Sequence, residues 1–229
     1  MMTMKLVRGV CVLSFAVALA GCSTTGAPDL SGMSFSDEPL IGKFVWYDLI
    51  TDDVEVARTF YGGLFGWSFE ASKGPGGADY LIARDGDVYV AGMVERADPS
   101  DGTEYSRWLP YVSVADVDAS AGRARAGGGR VVVAPLDVRL GRVAAIIDSE
   151  GAALGLARSD IGDPDDVTTA SAPGRVVWIE LLADDAVTAS SFYETVVGYE
   201  AETVERRGGT YTMLRAGGPD RAGVLENPT

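Results

Sequence analysis

The sequence predicts an α+β fold made of repeated βαβββ units, and three observations carry that prediction. Residues 42–67 recur at 174–199 with ten of 26 positions identical: Gly42, Val45, Trp46, Leu49, Asp52, Asp53, Ala57, Phe60, Tyr61 and Gly66. Each copy passes from a β-branched and aromatic run, through an aspartate pair, into an apolar stripe at helical spacing that ends on glycine. The stretch between the copies, though more divergent, decodes in the same order.

The chain opens with a segment that lies outside this pattern. "MMTMKLVRGV" supplies a short basic start with Lys5 and Arg8, and "CVLSFAVALAG" an apolar core of about a dozen residues. A spanning helix needs roughly 20. The segment ends in Leu19-Ala20-Gly21-Cys22, which resembles the lipobox of bacterial lipoproteins, where the signal (1–21) is removed and the cysteine is acylated. An ordinary secretory signal or an uncut anchor is the alternative. The lipobox reading implies a lipid-anchored protein of the bacterial cell envelope. With Ser after Cys22 it implies the outer membrane, facing the periplasm. Cys11 then leaves with the signal and Cys22 carries lipid, so no thiol remains for a disulfide, a nucleophile or a metal. Residues 22–41 are rich in Ser, Gly, Pro and Asp and predict a flexible tether.

Without Lys5 and Arg8 the chain carries 17 basic against 33 acidic residues, a net charge of −16. Such an acidic body excludes nucleic acid as a partner, because binding it rests on Lys and Arg neutralising phosphates. It also leaves membrane attachment to the lipid alone.

In the first copy "KFVWYDLI" is a strand and Asp52-Asp53 fall at a helix N-cap. Ala57, Phe60, Tyr61 and Leu64 form one helical stripe, and Gly66 falls at a left-handed C-cap. Strands follow over 67–71, 79–84 and 87–95, with a tight turn at "RDG". In the middle unit "WLPYVSV" is a strand, Asp116 caps a helix to about Ala126, and "RVVVAP", "GRVAAIID" and "AALGLAR" are strands. Its "GGG" at 127–129 follows a helix and precedes a strand, the reverse of the order a phosphate cradle needs. The last copy repeats the first with "RVVWIELL", Asp184-Asp185, the stripe Ala189, Phe192, Tyr193 and Val196, and Gly198.

"FVWYDLITDD", "ARTFYGGLFGW", "YVSVADVDA" and "IIDSEGAALGL", in this order, resemble the vicinal oxygen chelate superfamily of glyoxalase I, bleomycin-resistance proteins and extradiol dioxygenases. The resemblance implies that residues 42–160 pair two βαβββ units into a cup-like, incompletely closed barrel holding a ligand. It also implies a linker at 161–173 and, over 174–229, an incomplete second domain. Enzymes of this superfamily use a divalent metal held by His, Glu or Gln on four inward strand positions. Here those positions fall on Trp46, Val90, Leu109 and Gly155, with Trp178 repeating the departure in the third unit, and none of these can ligate a metal. The expectation is therefore a protein with no metal, no other cofactor and no assigned catalytic residue, leaning away from an enzyme.

The candidate site rests on Trp46 and Asp48, which alternate onto one strand face together with Phe44 and recur as Trp178 and Glu180. An indole beside a carboxylate in a concave site suits a flat or cationic organic molecule. Tyr80, Trp108 and Tyr111 are the candidate aromatic walls. The alternative is that these aromatics only fill the barrel. Three functions follow: a metal-free small-molecule binder, a lyase or dioxygenase with atypical metal ligands, and a non-catalytic interaction module. The odd third unit predicts either a homodimer through residues 174–229 or a fourth unit beyond Thr229.

Overall fold

The computed structural model describes residues 29–96, 105–166, 173–206 and 209–227, so the lipobox cysteine Cys22 lies outside it. Three βαβββ units follow one another. The first comprises β1 (Phe44–Thr51), α1 (Val54–Phe65), β2 (Ser68–Lys73), β3 (Asp79–Asp85) and β4 (Val88–Glu95). The second comprises β5 (Ser106–Ser113), α2 (Val117–Ala126), β6 (Arg130–Val138), β7 (Gly141–Ile147) and β8 (Ala153–Ser159). The third comprises β9 (Glu180–Ala183), α3 (Ala186–Val197), β10 (Glu200–Arg206), β11 (Gly209–Arg215) and β12 (Asp220–Glu226).

The helices begin and end where the sequence expects. Asp53 accepts from Val56 N at 2.8 Å, Asp116 from Ala119 N at 2.9 Å, and Asp185 from Val187 N and Thr188 N at 3.0 Å each. These bonds satisfy donors that the first helical turn leaves unpaired. Gly66 and Gly198 close α1 and α3 at φ 73° and 94°, a region that penalises a Cβ.

Units one and two share one eight-stranded sheet in the order β2-β3-β4-β1-β5-β8-β7-β6, joined where β1 and β5 pair antiparallel. The third unit is a separate sheet, β10-β11-β12-β9, with β9 at its edge. The fold is α+β, two mixed sheets that do not close into a barrel. The largest core lies between units two and three, where Ala121 and Ala124 of α2 meet Phe192, Tyr193 and Val196 of α3 over Val112, Ile146 and Leu156. The turn after β7 reinforces this junction. Asp148 accepts from the Tyr193 hydroxyl at 2.7 Å, and Glu150 accepts from Asp184 N and Asp185 N at 2.7 and 3.0 Å. Unit one has only a small core of Leu49, Ala57 and Met93, flanked by Tyr61, Trp67, Phe69 and Leu81.

Three expectations need correction. Part of the tether is packed: Leu40 N donates to the buried Asp163 carboxylate at 2.7 Å, which also accepts from Ser113 Oγ at 2.6 Å, and Ser36 N donates to Asp163 O at 2.9 Å. The strand expected over "RVVWIELL" shrinks to Glu180–Ala183, because only those residues find a ladder partner, in β12. Phe44 leaves the face of Trp46 and Asp48 at a register irregularity and joins the core of units two and three. Among the described residues no helix is long and apolar enough to cross a membrane.

Candidate functional site

One face of the shared sheet, the face away from α1, brings four of the five first-site candidates together. Asp48 lies beside Gly92 across the parallel β1–β4 ladder, and Trp46 faces Tyr111 across the antiparallel β1–β5 ladder. Trp46 Nε1 donates to Asp48 Oδ1 at 2.8 Å and to Tyr80 Oη at 2.9 Å. The Tyr80 hydroxyl donates to the same carboxylate oxygen, and Tyr111 reaches Asp48 from the second unit. Trp46, Asp48, Tyr80 and Tyr111 are each half-buried.

The fifth candidate is elsewhere. Trp108 pairs with Leu49, which places it on the helix side of the sheet, and its Nε1 donates to Tyr61 Oη of α1 at 3.0 Å. Period 2 along β5 separates Trp108 from Tyr111, and the pairing of β5 with β1 fixes which of the two faces the cup.

Two glycines that sequence reasoning undervalued make the cluster feasible. A Cβ on Gly92 would overlap the Tyr80 hydroxyl and the Asp48 carboxylate, and one on Gly155 would overlap the Tyr111 ring. Their common place in the ladders, Asp48 opposite Gly92 and Tyr111 opposite Gly155, also corrects the inward position assigned to Val90. Gly92 is the counterpart of Gly155, because a register irregularity between Ala83 and Arg84 lengthens the first hairpin. The sequence signal is that Ala91-Gly92 recurs in the repeat as Ala222-Gly223 after a one-residue slip.

Burial raises the pKa of Asp48 above its ordinary value, although hydrogen bonds from Tyr80, Trp46 and Tyr111 oppose the rise. Burial, and then the neighbouring Asp48 charge, hold both the Tyr80 and Tyr111 hydroxyls above the usual phenol range. On the opposite face of β1, burial pushes Tyr47 up to about 12. A half-buried carboxyl among phenols that hold their protons can accept a hydrogen bond or hold a proton toward a bound oxygen.

The third unit carries the same constellation. Trp178 Nε1 donates to Tyr211 Oη at 2.9 Å and to Glu180 Oε1 at 3.3 Å, the Tyr211 hydroxyl donates to Glu180 at 2.9 Å, and Gly223 leaves room for Tyr211. Here the indole and the carboxylate are exposed, since β9 is the edge of its sheet among the described residues.

The donor set does not fit the metal of the superfamily. Trp46, Leu109, Gly92 and Gly155 offer no ligand, and phenol groups fill the space where a side chain at either glycine would project. The described residues contain no cluster of three or more His, Cys, Asp or Glu able to hold an ion. One cleft of about 320 Å³ between α2 and α3 is lined by residues such as Arg123, Thr188 and Phe192. A smaller one of about 150 Å³ lies between units two and three, and neither involves the first cluster.

Two βαβββ units joined in one sheet through β1 and β5, with a polar cluster on the sheet face away from α1, are the frame of this fold. The chain belongs to the Glyoxalase/Bleomycin resistance protein/Dioxygenase superfamily, whose model matches residues 43–169. It is 35% identical over 188 residues to "Putative glyoxylase CFP32" of Mycobacterium tuberculosis (strain CDC 1551 / Oshkosh), covering 80% of this chain and 70% of that protein. It is 31% identical over 197 residues to "Anthracycline biosynthesis protein DnrV" of Streptomyces peucetius, covering 81% and 71%. Among solved structures, the Mn(II)-bound glyoxalase from Novosphingobium aromaticivorans aligns with a TM-score of 0.56 at 16% identity, over 82% of this chain and 62% of that one. This likeness is one of fold. The chain spans less than two thirds of that glyoxalase's length.

Proposed function

We propose that the cup of units one and two binds a small, flat organic molecule without a catalytic metal, on a protein held at the bacterial envelope by lipid on Cys22. The observation that carries the binding part is the cluster itself: an indole, a carboxyl with raised pKa and two phenols converge on one sheet face. Trp46 would stack on the ligand, and Asp48 with Tyr111 would hydrogen-bond its carbonyl or hydroxyl edge. A relative named for anthracycline biosynthesis supports a polycyclic aromatic ligand. The relative named a glyoxylase supports the alternative, a metal-dependent lyase or dioxygenase with atypical ligands, but the donor set speaks against it.

The binding test is calorimetric titration of an anthracycline into residues 23–229. Trp46→Ala and Asp48→Asn are each expected to weaken binding about tenfold, the equivalent of roughly 1.4 kcal/mol. A dissociation constant unchanged in both variants would remove the cluster from the ligand site. Stoichiometric zinc, nickel, manganese or iron with a rate that depends on it would replace this reading with the enzymatic one. The anchor is tested separately, by membrane fractionation of the full chain and of Cys22→Ala, which is expected to become soluble.

A further inference from the structure

The cleft between α2 and α3 is lined by Arg123 and the hydroxyls of Ser149, Thr188, Ser191 and Thr195, over the ring of Phe192. No acidic side chain lines it, in a chain of net charge −14. Its volume of about 320 Å³ falls at the lower end of the range of ligand clefts, roughly 300–1,000 Å³. Ser191 and Thr195 share one face of α3 because they lie one helical turn apart. The glycine run at 127–129 forms the opposite wall. A Cβ on Gly127 would stand 3.2 Å from the Phe192 ring and one on Gly129 3.0 Å from it, so the turn after α2 lies directly against that ring.

Arg123 is fixed through one nitrogen and free at the others. Its Nη2 donates to Ser120 Oγ at 2.7 Å and to Val196 O, a carbonyl of the last turn of α3, at 3.1 Å. Its Nε and Nη1 donate to nothing among the described residues, and no carboxylate there pairs with it, whereas Arg142, Arg175 and Arg221 each hold one. The hydroxyls of Ser149, Ser191 and Thr195 have no partner among the described residues either. The acidic groups nearest in the chain are engaged elsewhere. Asp185 accepts from Val187 N, Thr188 N and the Thr188 hydroxyl, and Glu150 accepts from Asp184 N and Asp185 N.

We infer that this cleft is a binding site for a small organic carboxylate with an apolar body. The carboxylate accepts from the free Arg123 donors and from the Ser191 and Thr195 hydroxyls, and the body lies against Phe192 and the exposed Val187. Because Arg123 is already held by Ser120 and Val196 O, little is lost in ordering it. A phosphate monoester fits less well: one guanidinium offsets one charge, and no second cation lines the cleft to meet the other. The site is separate from the first cup and independent of the ligand proposed there.

The experiment titrates benzoate into the full chain at neutral pH, by calorimetry and by amide chemical shifts. Saturable binding with a dissociation constant of about 1 mM or tighter is expected, with shifts centred on Gly127, Ser191 and Thr195. Benzamide, of the same shape without the charge, and inorganic phosphate are each expected to bind at least about tenfold more weakly. Arg123→Ala should weaken benzoate by at least about tenfold. Since Arg123 also braces α3, Ser191→Asp supplies a second variant that leaves those bonds in place and sets a like charge in the cleft. It should cause a similar loss, while Ser191→Asn stays within about threefold of the parent. No saturation below about 10 mM benzoate overturns the inference, as does benzamide or phosphate binding as tightly as benzoate. An unchanged constant in Ser191→Asp, or shifts confined to Trp46 and Tyr80, overturns it too by placing the ligand elsewhere.

Discussion

The first and third units start from nearly the same sequence and reach different states. In both, a phenylalanine and a tyrosine pack edge to face on the helix, with ring centroids 5.0 Å apart in α1 and 5.3 Å in α3. Yet Phe60 is 58% exposed and Phe192 only 6%, and Leu64 is 57% exposed against 0% for Val196. The strands diverge likewise. β1 and β9 make the same four-residue parallel ladder with β4 and β12, but β1 extends back to Phe44 because β5 pairs with it over its length. A sheet edge with one neighbour is strand only where that neighbour reaches. The apolar stripe fixes which helix face seeks cover, and the neighbouring element decides whether cover is found.

The largest expected effect separates the two helices. Phe192→Ala should destabilise the chain by about 3–5 kcal/mol, as large truncations in a closed core do. Phe60→Ala should stay within about 0.5 kcal/mol, as for an exposed site. Urea denaturation of both variants checks this, and a large cost at Phe60 would mean that α1 is covered in solution.

A smaller effect probes whether the two clusters are built alike. Gly92→Ala and Gly223→Ala each drive a methyl group into a tyrosine hydroxyl, and each should cost about 1–3 kcal/mol through overpacking. A cost confined to Gly92 would show that the third-unit cluster is packed more loosely than the first.

The smallest effect concerns pH. Asp48 has a folded pKa above its unfolded value, so the folded state binds the extra proton between the two. The associated stability is fully present below the unfolded value of about 4 and is lost as pH rises through the folded value. Asp48→Asn does not titrate, so wild type should lose stability relative to the variant over that window. The check is denaturation of both proteins across pH; a difference that stays flat would mean that Asp48 is well solvated.

Much of this was legible in the chain. The aspartate caps, the stripes Ala57-Phe60-Tyr61-Leu64 and Ala189-Phe192-Tyr193-Val196, and the terminal glycines each report on a few neighbouring residues, and local physics decides them. Trp46 and Asp48 share a face by strand period alone. The reach of Tyr80 and Tyr111 onto Asp48 was less legible, since it depends on ladder register. Trp108 was misplaced because the expected cup face of β5 follows from its pairing with β1, which no residue of β5 states.

By itself the sequence determined the repeated unit, its elements, the family and the indole–carboxylate pair, because periodicity, capping and repetition are short-range. Only the tertiary structure decided that units one and two share a sheet while unit three keeps its own, that α3 is covered and α1 is not, and that phenols fill the space over Gly92 and Gly155. Those outcomes depend on which surfaces meet. A face that needs burial is written in the residues, whereas the element that buries it is fixed only when segments distant in the chain compete for the same surface.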